Sequence, residues 1–200
     1  MADASPRALV LPTIARRWNL GAAALSNADG DVHAPAPLTE AEQERLATAD
    51  LATAPGHVRA DLPEWVVGRF ERLFGPDWVA EGESLALRPP LDMRVNRVKA
   101  DREKLLAALG KFGAVATRYS PAGVRISATA GDRRHPNVQV EPAFQKGWFE
   151  VQDEGSQIAA FAVAPQPGER VLDLCAGAGG KSLALASIME NKGQVTAADT

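Results

Sequence analysis

The chain has 200 residues, a formal net charge of −3, 46% hydrophobic and 24% charged residues. That is globular composition with room for one large domain or two small ones, and it excludes a disordered chain. No apolar run approaches the roughly 18 residues of a membrane span, and a single cysteine excludes an internal disulfide framework or a cysteine-cluster zinc site. His33, His57 and His135 stand far apart at no metal-ligand spacing, so no metal is expected.

Residues 1–37 read as an irregular or partly helical start and a linker. Arg7, Arg16 and Arg17 in Ala-rich surroundings give a transit-peptide composition, but Pro6 and Pro12 interrupt the amphipathic helix such a peptide needs. The apolar stretch Ala8–Ala15 runs into Arg16-Arg17 and not into a small-residue cleavage site, so a secretory signal is rejected and a cytoplasmic location is expected. His33–Pro37 reads as a linker, because Pro35 and Pro37 cannot continue a helix.

Residues 38–87, with four basic and ten acidic residues, read as an acidic helical segment. Thr39 and Glu42 stand at capping-box spacing at the head of a helix-forming stretch, Glu40–Leu51. Asp61 and Pro63 open a second helix, with Leu62, Trp65, Val66, Phe70, Leu73 and Phe74 on one face, and Gly75-Pro76 ends it. A small bundle built on that face makes Trp65 and Phe70 core residues.

Residues 88–146 carry twelve basic and five acidic residues, a net of +7. Such a block is either a polyanion contact or a solvated outer face. Leu91–Asn96 alternates and suits a strand. Asp101 caps a helix with a buried face of Leu105, Leu106, Leu109 and Phe112, stopped near Gly113. Ala114–Tyr119 and Gly123–Ala128 form a hairpin turned at Ser120-Pro121-Ala122. Strand, helix, strand, strand is the skeleton of a small α+β module. Arg88, Arg94, Arg97, Lys99, Arg118, Arg125, Arg133 and Arg134 are placed near nucleic-acid phosphate. Tyr119 and Phe112 are the aromatic residues weighed here, and Phe112 reads as core, so an aromatic base-stacking platform is not expected.

Residues 147–200 carry the most informative pattern. Arg170–Cys175 is a short apolar run ending in the turn Gly177-Ala178-Gly179-Gly180; Lys181–Ala186 continues as a helix, and Gln194–Ala198 is a second strand ending at Asp199. Glycines let a backbone approach a nucleotide-type cofactor, and an acid at the second strand's end accepts hydrogen bonds from ribose hydroxyls. Gly180-Lys181-Ser182 lacks the first glycine of a phosphate-binding loop, since Cys175 stands there, and Ser182 stands where a dinucleotide fingerprint needs its third glycine. Asp173, Gly177 and Gly179 instead fit the Asp-x-x-x-Gly-x-Gly signature of S-adenosylmethionine-dependent methyltransferases. Gln152, Asp153 and Ser156 are expected to organise a strand-to-helix turn beside this loop, capping a helix with Ile158, Ala159 and Phe161.

Three segments in order resemble the bacterial 16S rRNA cytosine-5 methyltransferases of the RsmB/Sun type: Arg88-Pro-Pro-Leu-Asp-Met-Arg-Val-Asn96, Gly147-Trp-Phe-Glu-Val-Gln-Asp-Glu-Gly-Ser-Gln157 and Val171-Leu-Asp-Leu-Cys-Ala-Gly-Ala-Gly-Gly-Lys181. Gly177-Ala178 departs from the family's usual Ala-Pro. The resemblance implies an α/β chain: N-terminal helices, an RNA-binding α+β module, and the first β-α-β unit of a Rossmann-like methyltransferase domain. It implies S-adenosylmethionine as cofactor, wrapped by Cys175, Ala176, Gly177, Ala178, Gly179, Gly180 and Lys181, with Asp199 on the ribose. It implies RNA, and rRNA in particular, as partner; the basic block at 88–146 offers Arg94, Arg97 and Lys99 as the expected contacts. In the family a cysteine thiolate adds to C6 of cytosine so that C5 takes the methyl group, and a second cysteine assists release. Both lie well beyond the second strand, whereas Cys175 matches the family's loop cysteine, so no catalytic residue is expected in this chain. Two strands and one helix do not complete a doubly wound sheet. The sequence is accordingly expected to be an N-terminal part, inactive alone, with an uncovered apolar face. An inactive RNA-binding remnant and an unrelated nucleotide-binding α/β protein are the alternatives.

Overall fold

The computed structural model describes residues 6–17, 36–48, 50–129 and 133–199. It divides into two compact units, Met1–Arg88 with Ala130–Arg133, and Pro89–Thr129 with Arg134–Thr200. Residues 33–35 of the expected linker lie outside the described residues.

The first unit is helical: α1 (Pro6–Pro12), α2 (Glu40–Thr48), α3 (Gly56–Arg59), α4 (Glu64–Phe74) and α5 (Trp78–Leu85). The capping box at α2 is present. The Thr39 N–H donates to Glu42 Oε2 at 2.8 Å, and the Glu42 N–H donates to Thr39 Oγ1 at 3.3 Å. Arg7 Nε donates to Glu42 Oε1 at 2.7 Å. The Arg7 guanidinium first, and the Thr39 N–H second, hold the Glu42 carboxyl down at about 2. The helix stops at Thr48 and not at Leu51, because the Asp50 carboxylate takes the Ala52 N–H at 2.9 Å and opens a 3-10 turn.

Neither α3 nor α5 is signalled by periodicity. They meet through small residues: a Cβ on Gly56 would lie 2.7 Å from the Trp78 ring, and one on Gly82 would lie 2.6 Å from Ala60 Cβ. The expected core at α4 is corrected. Trp65 is 75% exposed, α4 buries no residue among those described, and Phe70 is half-buried, its ring 5.4 Å from that of Phe74. An apolar stripe shows that a helix has a face, not that a partner covers it. Trp65→Ser is therefore expected to change stability by less than about 0.5 kcal/mol in chemical denaturation, as for other surface positions.

The second unit holds β1 (Leu91–Val95), α6 (Arg102–Leu109), β2 (Val115–Ala116), β3 (Gly123–Ile126), α7 (Pro142–Gln145), β4 (Phe149–Val151), α8 (Glu154–Val163), β5 (Arg170–Asp173), α9 (Gly180–Ile188) and β6 (Gln194–Ala197). The first four strands form an antiparallel sheet in the order β2-β3-β1-β4. Asp101 caps α6 by accepting the Lys104 N–H at 2.7 Å, and Gly113, at φ 69°, takes the left-handed turn after it. Leu105 and Leu109 of α6 pack under Met93, Val95, Val124 and Phe149 as one core, with Leu106 and Phe112 partly buried beside it.

The fourth strand comes from residues that the sequence assigns to the methyltransferase segment at 147–200. Met93 pairs with Val151 and Val95 with Phe149, so Phe149–Val151 completes the sheet of the basic module. β5 and β6 run parallel, joined through α9, and Ala160, Ala184 and Leu185 bury the contact of α8 with α9. Leu172 and Leu174 are exposed around the end of β5. No helix of the described residues is long and apolar enough to cross a membrane.

Candidate functional site

The turn after β5 is shaped by backbone conformation. Gly177 has φ 52° and Gly179 has φ 83°, values at which a side chain costs roughly 1–2 kcal/mol. A Cβ on Gly179 would meet nothing within 4 Å, so conformation rather than crowding calls for glycine, and the turn is open above it. Gly179 caps α9, and Asp173 Oδ2 accepts from Ser182 Oγ at 2.7 Å, tying the end of β5 to the first turn of α9. The Ala176 N–H donates to the Ala198 carbonyl at 3.0 Å. The Asp199 carboxylate accepts from the Gly177 N–H, so the acid at the second strand's end lies at the glycine turn. Cys175, Gly177, Ala178 and Lys181 are exposed, and Ala176, Gly179 and Gly180 are half-buried. Sequence reasoning missed Ser182, whose signal is a hydroxyl one turn inside the helix that the glycines open.

The expected turn at Gln152–Ser156 lies beside this loop. Asp153 caps α8 by accepting the Ser156 N–H at 3.2 Å. The Gln152 amide nitrogen stands 3.4 Å from where a Cβ on Gly180 would be. Around it is a buried polar network that the sequence did not disclose. Asp92 accepts both Nε and Nη2 of Arg125 at 2.7 Å and the Glu154 N–H at 3.0 Å. Glu154 Oε1 accepts the N–H groups of Tyr119 at 2.6 Å and Ser120 at 2.9 Å. Gln157, fully buried, accepts from Ser120 Oγ at 2.7 Å and donates to the Gln152 carbonyl at 2.8 Å. Burial alone would raise the Glu154 carboxyl, but those two N–H groups, the Thr117 hydroxyl and Arg125 together hold it below its ordinary value. The Gln152-Asp-Glu-Gly-Ser-Gln157 segment thus welds the four-stranded sheet to α8.

This network takes Arg94 off the surface and engages Arg125. Arg94 is corrected as a phosphate contact: it is 2% exposed, with Nε donating to Gln152 Oε1 at 2.7 Å and Nη2 buried without a partner. Burial lowers its pKa, and Glu150 across the strand pair acts the other way. Its alternation with Met93 and Val95 puts it on the second face of β1, which α8 covers. Arg125 is spent on Asp92 and Glu154. Arg88 donates to the Arg133 carbonyl, and Arg118 lies 5.0 Å from the Tyr119 ring. Arg97 and Lys99 remain exposed after β1, and the Arg97 N–H donates to Ser187 Oγ of α9 at 3.2 Å. Among the described residues, no group of three or more His, Cys, Asp or Glu gathers to hold a metal ion.

A family model described as the RsmF/B-like methyltransferase ferredoxin-like domain matches residues 62–131, and one described as 16S rRNA methyltransferase RsmB/F matches residues 160–200. The chain is therefore similar to RsmB/F-type methyltransferases over two separate stretches, in that order. The ribosomal RNA small subunit methyltransferase B of Cronobacter sakazakii is 40% identical over 60% of this chain and 27% of its own length. That of an Escherichia coli strain is 34% identical over 68% of this chain and 31% of its own. The chain therefore spans less than a third of these two relatives. Among solved structures, a methyltransferase homologue from Pyrococcus horikoshii has TM-score 0.60 and 27% identity over 71% of this chain and 46% of that one. In RsmB/F terms, β1, α6, β2 and β3 fall in or beside the ferredoxin-like match. The glycine turn falls in the methyltransferase match, within a mixed helix-and-sheet chain of Rossmann-like kinship.

Proposed function

We propose that this chain supplies the RNA-docking module and cofactor turn of an RsmB/F-type rRNA methyltransferase that uses S-adenosylmethionine to methylate C5 of a cytosine. One observation carries the reading: β5, a turn with two glycines at positive φ, α9 and parallel β6, with the Asp199 carboxylate brought to the Gly177 N–H. The backbone of Cys175–Lys181 would follow the methionine moiety, and Asp199 would take the ribose hydroxyls. Lys181, exposed in the first turn of α9, would face the cofactor's carboxylate. The bound sulfonium supplies an activated methyl group. Cys175 is exposed in the cradle with no base hydrogen-bonded to it among the described residues, which fits a cofactor contact and not an activated nucleophile.

Calorimetric titration with S-adenosylhomocysteine tests the site. Asp199→Ala is expected to weaken binding by about 1–3 kcal/mol, roughly 5- to 150-fold, the cost of losing a hydrogen-bonding partner. Equal affinity in the variant would remove Asp199 from the site, and no binding by the unaltered chain would overturn the cofactor reading.

A further inference from the structure

Trp148 precedes β4, and two ammonium groups lie over its ring: Lys104 Nζ from α6 at 4.0 Å from the centroid, and Lys146 Nζ at 5.3 Å. Lys99 reaches the same place, with Nζ 3.5 Å from the Lys146 carbonyl oxygen and 2.8 Å from where a Cβ on Gly147 would sit. Gly147 has φ 69°, and the turn there brings Lys146 and Trp148 together. Two stretches of chain far apart in sequence, 99–104 and 146–148, therefore bring three lysines to one patch, two of them over the ring.

Among the described residues, none of the three is in an ion pair. Two other cations of this unit are matched: Lys111 lies 2.9 Å from Glu141, and Arg125 lies 2.7 Å from Asp92. The Asp101 carboxylate is occupied by the Lys104 N–H at 2.7 Å. Gathered ammonium groups repel one another, and a ring quadrupole offsets this only in part. The ring is half-buried against the core of the four-stranded sheet, so it is a fixed platform for the lysine stems. Clustered ammonium groups in no ion pair among the described residues are matched by phosphate oxygens, each lysine serving as a point charge.

We propose that Lys104 and Lys146, held over Trp148, and Lys99 at the adjoining turn are a phosphate-binding surface for RNA. The inference rests on the RNA-methyltransferase reading above and moves the RNA contact from Arg94 to the face that α6 and the turn before β4 share.

The test is the affinity of the 200-residue chain for a fluorescent, unstructured RNA oligonucleotide across a salt series. Each phosphate neutralised on a single strand adds about −0.7 to the slope of log affinity against log salt. The variant carrying Lys99→Gln, Lys104→Gln and Lys146→Gln is expected to lose about 2 from that slope and to bind at least tenfold more weakly at low salt, with an unchanged melting temperature. Lys192→Gln, at a lysine paired with Glu190, should change nothing. RNA binding with an unchanged slope in the triple variant overturns the surface while leaving the RNA reading intact. No RNA binding by the unaltered chain overturns both. Equal binding of polyglutamate, lost in the same variant, overturns RNA as the partner in favour of an acidic protein.

Discussion

Glu154→Ala is expected to lower the stability of the unit that holds β1 to β4 by about 3–5 kcal/mol, the usual cost of removing one member of a buried charged group. Glu154 is 6% exposed and sits where three elements meet. Its loss leaves the N–H groups of Tyr119 and Ser120 without an acceptor at the hairpin turn, and leaves Arg125 with Asp92 alone. Glu154→Gln keeps the shape and one acceptor oxygen, and is expected to lose about half as much. Urea denaturation measures both, and amide exchange at Ser120 shows whether the opening begins at the hairpin. A loss under about 1 kcal/mol in Glu154→Ala would mean that the network is ornamental to stability.

The same carboxylate sets an acid limit. Its folded pKa lies below the ordinary value of about 4.3, so the folded state favours the ionised form. The stability it contributes is complete above that ordinary value and is lost as pH falls through the lower folded value. Unfolding followed from pH 7 downward should therefore stay level to about pH 4.3 as far as this group is concerned, then fall. In Glu154→Gln the fall below that point should be shallower.

What the sequence discloses and what it withholds divide along the range of the interactions. The helix at Arg102–Leu109 is legible because its cap, its buried leucines and its glycine stop lie within about one dozen residues of each other. The β5–turn–α9–β6 unit is legible for the same reason, since Asp173, the glycines and Asp199 occupy one supersecondary motif. Phe149–Val151 is too short to show alternation, and its pairing partner is β1, more than fifty residues earlier. Asp92 and Arg94 read as an outward polar face because nothing near them in sequence says that α8 will cover it. Trp65 shows the opposite error, an apolar stripe left open. At the candidate RNA surface, the charge of residues 88–146 was visible, but Trp148 lies two residues beyond that block.

Arg94→Met is expected to leave stability within about 1 kcal/mol of the unaltered chain, or to raise it, whereas Arg94→Ala should lower it by about 2–4 kcal/mol. The guanidinium makes one described hydrogen bond, Nε to Gln152 Oε1 at 2.7 Å, and Nη2 is buried with none. Among the described residues it is in no ion pair, and burial pushes its pKa down, the mark of a charge held at a cost. Methionine fills much of the same volume without that cost, while alanine leaves a cavity; both variants remove the donor to the Gln152 oxygen. Gln152 in turn lies against Gly180, at the first turn of α9, so Arg94 stands one side chain from the glycine turn. Losing the hydrogen bond that orients Gln152 should weaken S-adenosylhomocysteine binding about 5-fold in Arg94→Met, the net value of one hydrogen bond of about 1 kcal/mol. Stability kept and affinity lost in one variant mean that the guanidinium serves the turn and not the fold. Equal destabilisation by methionine and alanine, with affinity unchanged, would assign Arg94 to the fold.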